Sequence, residues 1–262
     1  MIIVADNIHI MNPVVEDAIY RMDPDPIQDI VCRCKAAGAS IIDINPGPLS
    51  KSPEEKITFI IEAVQEVSDL RLSLDTSNPR ALAAGIEICK QKPIINGFSL
   101  EPKKLTNILP LAAEYDTDIV GFLLSEKGQV LKNADERLNA ALMLIEEADR
   151  IGLSHKRIIF DPIIVPITWQ DGTRQVRETI ITIQSLSTLI GTSVKSIIGL
   201  SNFTIGSPSL EKTLLLEQIY LPILANAGLN MVLLNAMHER TLKVANIYNF
   251  LNRDVIFSWE EI

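Results

Sequence analysis

Ile158-Ile159-Phe160-Asp161 is the stretch that decides the fold, because a short apolar run there ends on a carboxylate. Six other apolar runs end in the same way, on a carboxylate or a carboxamide. They are residues 2–5 before Asp6 and Asn7, 41–44 before Asn45, 72–74 before Asp75, 93–95 before Asn96, 197–201 before Asn202, and 231–234 before Asn235. Strands that are buried on both faces read as near-continuous apolar runs, so these segments predict parallel strands.

Eight such strand candidates alternate with helical patterns along the whole chain. They begin near Ile2, Ser40, Arg71, Lys92, Asp118, Arg157, Ser196 and Met231. Eight strand–helix units without a linker predict an α/β protein, a single-domain (β/α)8 TIM barrel that spans residues 1–262. A doubly wound open sheet is the alternative, but the Gly-x-Gly-x-x-Gly turn that often follows its first strand is missing.

Helix starts are marked by a polar residue followed by proline. This pairing predicts N-cap residues at Asp25, Ser52, Asn78 and Ser207. Ser52 together with Glu55 also has the spacing of a capping box. Apolar residues at three- and four-residue intervals predict helices over 135–151 and 210–226. The apolar stretch 210–224, which contains Pro222, is a candidate surface between two subunits.

Composition excludes several classes of partner. The formal net charge of −9 argues against nucleic acid and anionic membranes, and no apolar stretch reaches the ~20 residues that span a bilayer. The first residues lack the basic leader and cleavage site of a signal peptide. Cys32 and Cys34 point to nearly opposite sides of a helix, so they form a poor metal chelate. We therefore expect reduced thiols and a cytoplasmic location.

In a barrel of this class the active site lies at the C-terminal ends of the strands. Three common chemistries fit poorly there. Lys195 begins its strand and so lies at the wrong end for a Schiff base, and the loop after the eighth strand lacks the glycine of a phosphate site. A divalent-metal lyase with Asp6, Asp43 and Asp161 as ligands stays open as an alternative.

A flat, polar heterocycle fits these side chains better, and it needs no metal. A pterin presents two parallel donors, its 2-amino group and N3–H, which a buried carboxylate can accept together. Its other ring atoms offer donors and an acceptor that a carboxamide can meet. Asp75, Asn96 and Asp161 match this set of groups, and Asn202 is left for a further ring nitrogen.

The sequence resembles the pterin-binding barrel family at these positions, in order and over the whole chain. The matching segments are Asp43-Ile44-Asn45-Pro46-Gly47, Asp75-Thr76, Asn96-Gly97, Asp161-Pro162 and Gly199-Leu200-Ser201-Asn202. Within that family it is similar to the methyltetrahydrofolate:corrinoid protein methyltransferases, which are themselves similar to the folate domain of cobalamin-dependent methionine synthase and related to dihydropteroate synthase.

The resemblance implies roles for the residues. Asp75, Asn96 and Asp161 would bind the pterin of tetrahydrofolate or methyltetrahydrofolate, with Gly199 and Ser201 beside it. Asn202 would be catalytic and would approach N5, the nitrogen that carries the transferred methyl group. The reaction implied is a methyl transfer between N5 and the cobalt of a corrinoid (cobalamin) carried on a separate protein, by an enzyme that is a homodimer. Asp6, Asp43, Asn45 and Asn235 are further candidates for the same pocket.

Two departures from the relatives bear on this interpretation. The close relatives usually have Gly-Glu-Arg-Ile-Asn at the end of the first strand, whereas this chain has Ala5-Asp6-Asn7-Ile8-His9. Dihydropteroate synthase carries a lysine in the seventh-strand motif, where this chain has Ser201-Asn202, which argues against that activity. Another pterin-binding barrel enzyme, such as a dihydropteroate synthase-like protein, and a non-catalytic pterin-binding protein stay open as alternatives.

Overall fold

The computed structural model describes residues 1–47, 49, 51–191, 194–252 and 259. Within these residues eight parallel strands pair in chain order and close into a barrel. They are β1 (Ile2–His9), β2 (Ile41–Asn45), β3 (Arg71–Leu74), β4 (Ile94–Phe98), β5 (Asp118–Phe122), β6 (Ile158–Asp161), β7 (Lys195–Gly199) and β8 (Met231–Leu234). The predicted (β/α)8 TIM barrel is confirmed, and the open sheet is excluded because β1 pairs with β8.

Helices surround the barrel and connect consecutive strands. They are α1 (Pro13–Arg21), α2 (Asp25–Ala36), α3 (Pro53–Val67), α4 (Pro79–Ile88), α5 (Pro102–Asn107), α6 (Leu109–Glu114), α7 (Ala134–Arg150), α8 (Gly172–Ile190), α9 (Leu210–Asn226) and α10 (Glu239–Leu251). Each of the longer helices buries an apolar face against the strands, as Ile57, Ile60 and Val64 do in α3. In the part of the chain that the structure describes, no helix is both long and apolar enough to cross a bilayer.

The predicted helix starts are correct at Asn78 but not at every site. The Asn78 side chain accepts hydrogen bonds from the backbone N–H groups of Arg80 and Ala81. Ser52 is the N-cap of α3, but its left-handed backbone (φ 46°) differs from the extended one that a bonding N-cap adopts, and no capping box forms with Glu55.

Two other helices begin away from the predicted cap. α2 begins at Asp25 itself, whose backbone N–H bonds the side chain of Asp23. α9 is capped by Ser209, because Ser207 instead donates its hydroxyl to the Ser209 carbonyl. In both cases a neighbouring polar side chain competes successfully for the role that the proline pairing had suggested.

The barrel interior has two layers of different chemistry. The lower layer, called here the barrel floor, contains Val4, Ile41, Ile94, Val120, Ile159, Ile197 and Met231. Two residues further along their strands, and therefore on the same face, are Asp6, Asp43, Asn96 and Asp161, called here the polar layer. The apolar floor closes the barrel, and the polar layer lies above it toward the C-terminal mouth.

The strand pairings correct the idea that each polar residue ends its strand. β1 continues past Asp6 and Asn7 to His9, with a register irregularity between Ala5 and Ile8, and β4 continues past Asn96 to Phe98. Backbone pairing such as that of His9 with Asn45 does not depend on side-chain polarity, so the strands run on. The alternation of faces, rather than the strand end, is what brings these residues to the mouth.

Ion pairs gather at the opposite, N-terminal end of the barrel. Asp118 at the start of β5 is buried and accepts from Arg71 at 2.8 Å and from Arg157 at 3.3 Å. Arg157 also pairs with Asp116, which in turn binds Lys92. These charged groups tie three strand starts together on the far side of the barrel floor from the polar layer.

Candidate functional site

A cleft of about 410 Å³ opens at the C-terminal mouth of the barrel. Eight of the ten predicted site residues line it, namely Asp6, Asp43, Asn45, Asp75, Gly199, Ser201, Asn202 and Asn235. These residues come from five different strands and the segments that follow them, so the prediction that they meet at one rim is correct. Further lining comes from side chains that the sequence analysis had not placed in the site.

Asn96 and Asp161 lie beside the cleft and are not part of its lining. Asn96 is buried and donates from Nδ2 to Asp43 Oδ1 at 3.1 Å. Asp161 ends β6, and its Oδ1 accepts from the backbone N–H of Ile163 at 2.7 Å. Because Asp161 follows Ile159 of the barrel floor by two residues, it faces the interior with the rest of the polar layer.

Asp43 is one of the most enclosed carboxyl groups of the site. It accepts from the Ser73 hydroxyl at 2.6 Å and from Asn96, both on the same oxygen. Burial, and after it the negative charge of Asp75, raises the pKa of Asp43 well above its usual range. Asp43 therefore couples the lining of the cleft to the buried Asn96 below it.

Asp75 is held by a neighbouring carboxamide. Asn45 donates from Nδ2 to Asp75 Oδ2 at 2.6 Å, while Asn45 Oδ1 accepts from the backbone N–H of Gly47, which fixes the orientation of the amide. Burial raises the pKa of Asp75 to about 6, although the Lys104 ammonium and Asn45 act in the opposite direction. At neutral pH the group is therefore mostly a carboxylate, the form that can accept two N–H donors.

Asp161 has a still higher pKa. Burial raises the pKa of Asp161 to about 7, although the Ile163 N–H and the Arg137 guanidinium act in the opposite direction. Near neutrality the ionised and protonated forms of Asp161 are thus both populated. Small changes in its surroundings will decide whether it accepts or donates a hydrogen bond.

Asn202 lies directly above the end of β7. The chain turns there into a 3₁₀ helix, Leu200–Thr204, which carries Ser201 and Asn202 over the mouth of the barrel. A Cβ atom on Gly199 would lie 2.9 Å from Asn202 Nδ2, closer than real Cβ contacts allow. Glycine at 199 is therefore what lets the exposed Asn202 amide lie over the strand end.

Sequence reasoning missed one wall of the cleft, formed by His9, Glu217 and His238. Glu217 of α9 is 2% exposed and accepts from Thr241 at 2.8 Å, and His238 Nδ1 lies 3.0 Å from the same oxygen. This bond with Glu217 raises the pKa of His238. The one usable signal was Glu217, an acid among apolar residues in the middle of the stretch 210–224, since an unpaired buried carboxylate would be costly.

Asp6 connects this wall to the Asn202 loop. Burial raises the pKa of Asp6, while a hydrogen bond from Ser201 and the charges of His9 and His238 lower it. The acid that replaces the longer glutamate of the relatives is thus in contact with the residue next to Asn202. The first strand does contribute to the site.

Asn235 has a clear structural task at the rim. Its Oδ1 accepts from Asn7 Nδ2 at 2.7 Å and from the backbone N–H of Met237 at 2.8 Å. Asn7 in turn accepts from the N–H of Ala236. The pair shapes the turn after β8, and a binding role for Asn235 stays a prediction.

The metal-lyase alternative lacks a ligand set. Among the described residues, no three His, Cys, Asp or Glu side chains are grouped closely enough to hold a metal ion. Asp6, Asp43 and Asp161 come from three separate strands and take hydrogen bonds from Ser201, Ser73 with Asn96, and Ile163 respectively. Their geometry is that of a hydrogen-bonded layer, so the described residues provide no ligand set for this alternative.

Comparison with known proteins agrees with this geometry. Residues 12–235 match the family model described as pterin binding enzyme. The chain is 27% identical over 173 residues to a methylcorrinoid:tetrahydrofolate methyltransferase of Eubacterium limosum, an alignment that covers 65% of this chain and 64% of that protein.

Among solved structures, a dihydropteroate synthase (DHPS) of Yersinia pestis with a pterine-sulfa conjugate has a TM-score of 0.70 at 16% identity, covering 95% of this chain and 92% of that one. The dihydropteroate synthase of Xanthomonas albilineans in complex with 7,8-dihydropteroate has a TM-score of 0.67 at 16% identity and covers 97% of this chain and 94% of that one. At such low identity these two structures establish a common fold.

Proposed function

The chain belongs to the pterin-binding enzymes, and from this premise we propose that it transfers a methyl group between N5 of tetrahydrofolate and the cobalt of a corrinoid carried on a separate protein. The observation that carries the proposal is Asn202, placed over the mouth by Gly199 in the segment Gly199-Leu200-Ser201-Asn202. Similarity to the Eubacterium limosum methyltransferase supports it. Dihydropteroate synthase carries a lysine in this motif, whereas this chain has Ser201-Asn202 there. This difference argues against the synthase reaction.

Asp75 and two members of the polar layer, Asn96 and Asp161, would hold the pterin by its edges. We assign to Asp75 and Asp161 the acceptance of the 2-amino and ring N–H donors, and to Asn96 a bond with the remaining acceptor edge. Asn45 orients Asp75 and Ile163 orients Asp161, so both carboxyl groups are positioned before the ligand arrives. Such preorganisation lowers the cost of ordering the site on binding.

Asn202 would act on N5. An amine anion is a very poor leaving group, so N5 must be protonated or strongly hydrogen-bonded as its bond to the methyl group breaks. A carboxamide can accept from an N5–H and, by reorienting, donate to the developing lone pair. Its effect is electrostatic and is largest in the transition state. The corrinoid supplies a cobalt that gives or receives the methyl group.

Partner and assembly follow from the same proposal. The corrinoid protein would cover the mouth, where Asn202 is exposed. A homodimer would use α9, whose outward side exposes Leu215, Ile219 and Ile223, each between 45% and 56% accessible. We also propose a cytoplasmic location, which the three unpaired cysteines support.

A spectroscopic assay with methyltetrahydrofolate and free cob(I)alamin tests the function. We expect cob(I)alamin absorbance to fall and methylcobalamin to form at a rate proportional to enzyme. The reverse mixture, methylcobalamin with tetrahydrofolate, should react as well because the same site serves both directions. Tight folate binding without methyl exchange in either mixture would instead identify a non-catalytic pterin-binding protein.

Gly199→Ala should damage the reaction more than the fold. The new Cβ would displace the Asn202 amide, so we expect the rate of methyl transfer to fall by about tenfold or more with folate affinity changed little. In an Asn202→Ala background the same substitution should add almost nothing, because the group that it displaces is gone. Additive losses in this double-mutant cycle would contradict the positioning role.

The pH should affect binding and stability in opposite directions. Folate affinity should weaken as the pH falls through the pKa values of Asp161, about 7, and Asp75, about 6, because the protonated acids no longer accept two donors. Both values are raised by folding, so the stability that these groups contribute is present at low pH and is lost as the pH rises through the folded values. The raised pKa of His238 acts in the same sense.

Two measurements check this expectation. The thermal unfolding midpoint of the ligand-free protein should be higher at about pH 5.5 than at about pH 8. The dissociation constant for folate, titrated over the same interval, should be higher at the acidic end. Parallel rather than opposite trends would show that other groups govern the pH response.

A further inference from the structure

Arg137 of α7 is a fully buried guanidinium, with 0% of the residue accessible. Its Nη1 donates to Thr179 Oγ1 at 2.9 Å, and its Nη2 donates to Gln175 Oε1 at 2.5 Å and to the Leu131 carbonyl at 3.4 Å. Among the described residues none offers it a carboxylate within ion-pair distance, and its Nε makes no hydrogen bond. Burying a charge that only neutral groups contact costs folding free energy. The buried position of Arg137 therefore needs an explanation.

The hydrogen bonds of Arg137 lead to Asp161. The Thr179 hydroxyl, which accepts from Arg137, donates to the carbonyl of Ile163 at 3.3 Å. The N–H of the same residue donates to Asp161 Oδ1. Ile163 has a positive φ of 65°, which is rare for a β-branched residue. Both of its peptide groups are thus held, one by Thr179 and the other by Asp161.

The electrostatic interactions of Arg137 also connect it to Asp161. Burial lowers the pKa of Arg137, and the nearby acidic groups act against it. These groups are Glu178, the Tyr220 hydroxyl, Asp161 and Asp171. Burial raises the pKa of Asp161, and the Arg137 charge acts against that rise. Glu178 already binds the Ala134 N–H, and Asp171 binds Gln175. Asp161 is the carboxyl group of this set that belongs to the polar layer.

We propose that Arg137 is a positioning residue that holds Asp161 turned into the barrel and favours its carboxylate form, which can accept the paired N–H donors of a pterin. This inference rests on the proposed function for the identity of the ligand. It assigns a site role to a residue on an outer helix that touches neither the cleft nor the reacting atoms. The charge acts through space, and the Thr179–Ile163 bonds fix the direction of the carboxyl group.

The test compares Arg137→Gln, Arg137→Lys and Thr179→Val with the parent protein. For Arg137→Gln we expect the midpoint of the pH profile of folate affinity to move up by about one pH unit, so that binding is about fivefold weaker at about pH 7 and equal at high pH. Arg137→Lys keeps the charge and should keep the midpoint. Thr179→Val should weaken binding evenly over the whole pH range, since it removes only the orientation.

Uniform weakening in Arg137→Gln at every pH would overturn the proposal, because a purely structural role gives that result. A shifted midpoint in Arg137→Lys would overturn it as well, and this arm stands even where Arg137→Gln fails to fold. The pKa of Asp161, followed by carbon NMR of the ligand-free protein, provides a readout that needs no folate. If the parent protein binds no folate, the proposed function is rejected. If Arg137→Gln leaves the NMR-measured pKa of Asp161 unchanged, this inference alone is rejected.

Discussion

Asn202→Ala should lower the rate of methyl transfer by about 10²-fold or more while folate binding stays within about tenfold of the parent. The amide lies at the exposed end of the cleft, over β7. In the proposed mechanism it contacts N5 there, while other residues hold the pterin. Removing it leaves the carboxylates of the polar layer in place, so the ground-state complex persists. The loss falls on the step in which charge develops at N5.

Asn235→Ala is the matched control for this variant. Asn235 is a second asparagine of the same cleft, but its amide is occupied by Asn7 and Met237. We expect that substitution to lower the thermal unfolding midpoint and to change the rate less than Asn202→Ala does. Single-turnover mixing of enzyme-bound methyltetrahydrofolate with cob(I)alamin measures the step directly. Unaltered turnover in Asn202→Ala would remove the amide from the mechanism.

Asp75→Asn should lower the affinity of the protein for folate by about 10²-fold or more. Asn45 donates to Asp75, so the new carboxamide must offer its oxygen to Asn45 and its NH₂ group to the ligand. That NH₂ group would then face the N–H donors of the pterin, and two donors cannot satisfy each other. Isothermal titration with folate at about pH 8, where the parent carboxylate is ionised, gives the comparison.

Asp118→Asn provides the contrast at the other end of the barrel. Asp118 is also a largely buried carboxylate, but it pairs with Arg71 and Arg157 beneath the barrel floor. Its substitution should lower the free energy of unfolding by about 2–4 kcal/mol and leave folate affinity unchanged. Equal loss of affinity in the two variants would mean that Asp75 acts through the stability of the barrel and not through the ligand.

The strand pattern of the sequence was sufficient for the fold and for most of the rim. Runs such as Ile158-Ile159-Phe160 combine β-branched and aromatic residues with burial on both faces, and that combination depends on local sequence alone. The alternation of side chains then places Asp43 and Asn96 above the floor even though their strands do not end there. The predicted strand ends were wrong, but the predicted direction of these two side chains did not depend on them.

Helix residues that line the cleft, or that we propose to act on it, were not predictable in this way. Glu217 and Arg137 lie on outer helices, and which turn of a helix faces the barrel depends on packing between distant segments. His238 became a site residue because α10 and α9 meet at the mouth, where Glu217 accepts from Thr241. Local sequence contains the residue type but not that meeting. The same limit explains the misplaced cap of α9.

The seven apolar side chains of the barrel floor separate two tasks that many proteins must combine. The candidate ligand site lies at one opening, and the ion pairs of Asp116, Asp118 and Arg157 lie at the other. Evolution or design can therefore change thermal stability at the N-terminal end of the barrel without altering the candidate binding residues at the mouth.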